Sequence, residues 1–128
     1  MVLALAAAAP AAASTNGAAS AHNKVRTFAS CRAQGDFAVC VAGGNVNRPV
    51  QLRVHVYASP KQRVSGAWDV VCAKGTGAGS ESGTISGTTT INRKLRMPYA
   101  LPDSCTASAD AQLAKGGKVH VWLTATVG

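Results

Sequence analysis

Between Cys105 and Val127 the small and apolar residues fall on odd-numbered positions. They are Cys105, Ala107, Ala109, Ala111 and Leu113, then Val119, Val121, Leu123, Ala125 and Val127. A period of two is the signature of strands that bury one face and wet the other. The same alternation sets Leu52, Val54 and Val56 against Arg53, His55 and Tyr57, and puts Trp68, Val70 and Cys72 on one face of 67–73. No stretch after His22 carries a helical period. Segments 25–31, 37–42 and 84–95 complete about seven short strands at turn spacings typical of all-β domains. The expected fold is a small antiparallel β-sandwich, Ig-like in the loose architectural sense, with a small β-barrel as the alternative.

Turn signals set the expected pairings. Gly35-Asp36 is a two-residue hairpin signal between 25–31 and 37–42. Lys115-Gly116-Gly117 is expected to join the last two strands by a three-residue turn. That register puts Leu113 opposite Val119 and keeps both inward faces aligned, with Asp110 opposite Trp122. Gly75, Gly77, Gly79 and Gly83 are expected to mark a long flexible loop, and Met97-Pro98 and Leu101-Pro102 an extended connection.

The core would be poor in aromatics, since the chain holds six in 128 residues. A small domain of this kind needs staples, and the four cysteines supply them. If Gly35-Asp36 closes a hairpin, Cys31 and Cys40 fall directly opposite each other at a non-hydrogen-bonded position, within reach of a disulfide. Cys72 and Cys105 then pair from two inward faces. In the chain-entropy model the two bridges contribute ~2.7 and ~3.8 kcal/mol. A metal reading of the cysteines lacks any Cys-x-x-Cys spacing.

Residues 1–21 carry no charge and are dominated by Ala. They read as a secretory leader remnant or an Ala-rich disordered segment, with A-x-A sites ending at Ala13 and Ala21, followed by a secreted domain over 22–128. The Ala/Gly/Val-rich composition hints at a high-GC bacterial genome. No segment is long and apolar enough for a membrane span. The net charge of +8 sits entirely after residue 21. It points to anionic surroundings such as cell-wall or other acidic polymers. Nucleic acid is disfavoured, because the basic residues do not gather into one stripe along the sequence and only Arg93, Lys94 and Arg96 cluster.

No catalytic constellation is evident. The acids Asp36, Asp69, Glu81, Asp103 and Asp110 are scattered, as are His22, His55 and His120. Nucleophile-elbow, phosphate-loop and dinucleotide patterns are absent, so neither an enzyme nor a cofactor is expected.

Two binding readings remain beside a purely structural role through protein contacts. Arg53, His55 and Tyr57 share an outward strand face, and so do His120 and Trp122. Together they would form an aromatic and basic surface for a sugar polymer or polyanion, provided both strands lie in one sheet. Alternatively, Cys72-Ala73-Lys74-Gly75 opens a glycine-rich loop anchored by a cysteine. In cysteine count and in this one stretch the chain resembles the bacterial subtilisin-inhibitor family. That resemblance implies a secreted serine-protease inhibitor with Ala73, Lys74 and Gly75 in the reactive loop and Lys74 entering an acidic primary pocket.

Overall fold

A computed structural model describes residues 23–128. The leader-like segment 1–21 and His22 lie outside the described residues. Eight strands follow in order: β1 (Lys24–Gly35), β2 (Val39–Asn47), β3 (Pro49–Ser59), β4 (Arg63–Lys74), β5 (Gly77–Thr88), β6 (Ile91–Leu95), β7 (Ser104–Leu113) and β8 (Gly117–Val127). They form two four-stranded sheets, β1-β8-β3-β6 and β2-β7-β4-β5. Every pairing is antiparallel. The fold is the expected β-sandwich, with eight strands rather than seven and two sheets rather than a closed barrel.

The alternation seen in the sequence fills the space between the sheets. Leu52, Val54 and Val56 of β3 and Val121 and Leu123 of β8 are fully buried, facing Val70, Ala107, Ala111 and Leu113 of the other sheet. The alanine column on β7 leaves room for the larger Leu and Val side chains of β8, so the inner faces interdigitate. Trp68 is the one aromatic among the buried core residues described, with Phe28 and Tyr99 packed at the core's margin.

Six of the seven connections cross from one sheet to the other, and only β4–β5 is a hairpin. This corrects three expectations. β1 and β2 do not form a hairpin around Gly35-Asp36, because each is an edge strand of a different sheet. β7 and β8 are not paired either. Their inward residues meet across the sandwich, which satisfies the same odd-number pattern without any shared register. Segment 84–95 breaks after Thr88, and β6 joins the opposite sheet.

The long loop expected at 75–83 is also absent, since β5 begins at Gly77 and pairs with β4 over its whole length. Its glycines serve close approach rather than flexibility. A Cβ on Gly83 would lie 2.7–2.8 Å from the Trp68 indole, and one on Gly79 would lie 2.9 Å from Pro98.

Both disulfides form in the expected pairing. Cys31–Cys40 does not cross a hairpin ladder; it ties edge strand β1 of one sheet to edge strand β2 of the other, with Cα atoms 5.8 Å apart. Cys72 and Cys105 are direct cross-strand partners on β4 and β7, with Cα atoms 4.1 Å apart.

Candidate ligand-binding face

The outward side chains of β1-β8-β3-β6 form rows set by the register. Tyr57 lies opposite His120, His55 opposite Trp122, and Arg53 opposite Thr124. The condition that both strands share a sheet is met, and β3 and β8 are neighbours. On the outer flanks, β1 adds Arg32 beside His120 and Ser30 beside Trp122. β6 adds Asn92 beside His55 and Lys94 beside Arg53.

The centre of this face is a stack. The Trp122 ring runs parallel to His55, with centroids 4.9 Å apart at 6°, and to His120 at 4.3 Å and 26°. His55 Nε2 shares a 2.9 Å hydrogen bond with Thr124 Oγ1. Trp122 is therefore half-buried among its neighbours, whereas Tyr57 is 50% exposed and presents its ring to solvent. Partial burial lowers the pKa of both imidazoles below the ordinary histidine value. Neighbouring cations add to the effect, Arg53 at His55 and Arg32 at His120. Near neutral pH both rings therefore favour the uncharged form, which suits stacking.

At one end of the face, Arg32, Gln34, Tyr57, Ser59, Lys118 and His120 line an open groove of about 460 Å³. Arg32, Gln34, Ser59 and Lys118 were not singled out in the sequence. Arg32 and Gln34 join the face only because β1 pairs with β8, whereas its chain order suggested β2 as partner.

Charge is segregated between the two outer surfaces. Arg32, Arg53, Lys94 and Lys118 all point outward from β1-β8-β3-β6, whose register rows carry no carboxylate. Asp69 and Asp110 point outward from the opposite sheet, together with one cation, Arg63. The expected placement of Asp110 against Trp122 is thereby corrected: Asp110 pairs with Val41 and accepts a 3.3 Å hydrogen bond from the Ala67 amide. The basic cluster at 93–96 is divided as well. Arg93 and Arg96 reach across the open side of the sandwich to carbonyls of β5, at Thr84 and Ser82, while Lys94 stays on the face. Arg96 also pairs with Glu81 at 3.7 Å and lies over Trp68.

The inhibitor reading finds different geometry. Ala73 and Lys74 end β4, and Gly75 opens a two-residue turn to Gly77. The Lys74 ammonium donates to the Leu101 carbonyl at 2.8 Å, and the Gly75 amide to the Asp103 carboxylate at 2.7 Å. This is a short hairpin tip strapped to segment 101–103, in place of the extended, glycine-rich reactive loop expected there. Among the described residues, no group of three or more His, Cys, Asp or Glu is placed to hold a metal ion, and no helix is long and apolar enough to cross a membrane.

The sequence matches no protein-family model and no curated protein. Among solved structures the chain is similar to TmCBM61 in complex with β-1,4-galactotriose, at 12% identity and a TM-score of 0.44, covering 80% of this chain and 87% of that one. It is also similar to part of the Glycosylation Associate Protein (Gap123) complex from Streptococcus agalactiae, at 9% identity and a TM-score of 0.36. That match covers 84% of this chain and 24% of that one.

Proposed function

We propose that this protein is a secreted, non-catalytic binding module that holds an extended glycan on the outer face of β1-β8-β3-β6. The observation that carries the reading is the union of Arg53, His55, Tyr57, His120 and Trp122 in adjacent rows of one sheet. An exposed tyrosine ring supplies an apolar platform for a sugar face, and the guanidinium, imidazole and amide groups around it supply hydrogen bonds to hydroxyls. An open groove on a rigid sheet suits a chain that runs past the site rather than ending in it. Two disulfides fit an oxidising, extracellular setting. Tyr57→Ala removes the platform without touching the core. Its expected effect is at least about a tenfold loss of affinity for the polysaccharides the native protein retards in affinity gels, with an unchanged melting temperature. Retention of full affinity by Tyr57→Ala would contradict this assignment.

A further inference from the structure

The same face carries a charge arrangement that a neutral sugar does not require. Arg53 and Lys94 are direct cross-strand partners, both pointing outward. Like charges placed directly opposite each other destabilise a sheet; no carboxylate occupies a neighbouring row, and Glu81, which lines a groove with Lys94, is paired with Arg96 instead. At the other end, Arg32 and Lys118 flank the groove beside Tyr57 and His120. Among the described residues, none of these four side chains hydrogen-bonds a protein acceptor or joins an ion pair. The cations that do engage protein acceptors, Arg63, Lys74, Arg93 and Arg96, all lie off this face. Other cations among the described residues also lack a protein acceptor, but Arg53 and Lys94 stand directly opposite each other and Arg32 and Lys118 line one groove, so this surface carries two unsatisfied cationic pairs. Arg32 lies in the row of Tyr57 and Lys118 in the row of Ser59, four and six residues from Arg53 on β3, so the two pairs stand about 13–20 Å apart along the strands. That spacing exceeds one sugar ring.

Building on the glycan reading above, we infer that the ligand is an anionic polysaccharide whose acidic groups engage Arg32 and Lys118 at one end of the face and Arg53 and Lys94 at the other. Guanidinium groups suit the planar, two-oxygen geometry of carboxylate and the oxygens of sulfate or phosphate. Two contact points more than one sugar apart select a polymer over a monosaccharide.

Matched pairs of polymers test this: polygalacturonate against its methyl ester, and dextran sulfate against dextran, each titrated calorimetrically with the whole protein. The acidic member of at least one pair is expected to bind at least about tenfold more tightly than its neutral partner. That preference should collapse between low and high salt, because the contacts are solvent-exposed. Which pair responds distinguishes carboxylate from sulfate-like recognition. Arg53→Gln/Lys94→Gln is expected to lose about tenfold or more in affinity. Its melting temperature should hold or rise, because a like-charge pair is relieved. Arg48→Gln/Arg63→Gln removes equal charge away from the face and is expected to change affinity less than about threefold. Equal losses in the two double variants would reduce the effect to net charge and overturn the inference. Equal, salt-insensitive binding of neutral and acidic polymers would overturn it while leaving the glycan reading intact. Failure of all four polymers to bind would overturn both.

Discussion

At Trp122 the indole stacks on two imidazoles, one parallel and one tilted by 26°, and the protonation of those imidazoles decides the charge of the two central rows. His120 faces Arg32 from β1 and Tyr57 from β3, with Lys118 and Trp122 on its own strand. His55 faces Trp122 from β8 and Asn92 from β6, with Thr124 hydrogen-bonded to it, Lys94 diagonal and Arg53 and Tyr57 on its own strand. Desolvation first, and then Arg53 at His55 and Arg32 at His120, push both pKa values down from 6.5. A native state that holds its protons less tightly than the unfolded chain is stabilised above that value. The contribution falls as pH drops from 6.5 through the lowered native values. Ring-proton NMR titrations of His55 and His120 should give midpoints below 6.5, and a midpoint at or above it for either ring would contradict the packing described. Protonation also adds positive charge to a face without carboxylates, so acidification through this range should tighten any anionic ligand.

Six sheet-crossing connections make the ends of the sandwich depend on their loops, and Gln62 holds one end together. Its side-chain amide donates to the carbonyls of Pro60 and Gly116, each at 3.1 Å, and its oxygen accepts from the Lys115 amide at 2.9 Å. Its main-chain carbonyl accepts from the Thr89 hydroxyl at 3.1 Å. One buried side chain thus joins the β3–β4 and β7–β8 connections, with β5–β6 tied through its backbone. Gln62→Ala leaves those partners unmatched and should cost about 2–3 kcal/mol in urea unfolding. A loss below about 0.5 kcal/mol would show that water or the loops themselves replace the amide. The element level is also where sequence and structure part. Inward faces were legible, because period two assigns Val119, Val121 and Leu123 to the core whichever strand lies beside them. Partners were not: β7 and β8 meet the same parity across the sandwich as they would within one sheet. The glycines of β5 misled for a related reason: Gly83 admits the Trp68 ring of the paired strand β4, a register that the glycines alone do not show. For the site, Arg53, His55, Tyr57, His120 and Trp122 were legible as outward residues. Arg32 and Lys118 needed the β1-β8-β3 order.

For the whole molecule, stability and charge are arranged around the same two-sheet plan. Cys31–Cys40 is the covalent tie between sheets, whereas Cys72–Cys105 reinforces strands already paired. Replacing either pair with alanine should cost roughly the chain-entropy amounts, ~2.7 kcal/mol for the first and ~3.8 kcal/mol for the second, less any relaxation. Such losses are large for a domain with few core aromatics. A melting temperature unchanged in strong reductant would contradict this dependence. The net charge of +8 has a direction that composition hides. One outer surface gathers Arg32, Arg53, Lys94 and Lys118 without a carboxylate in its rows, and the other holds Asp69 and Asp110 beside Arg63. The central claim is that the first surface is the ligand face. An amide-shift footprint of the isotope-labelled protein titrated with oligogalacturonate tests it most directly. The predicted result is a continuous set of shifted amides over 30–34, 53–59 and 118–124. Shifts centred on β2, β4, β5 and β7, or scattered over both sheets, would contradict it.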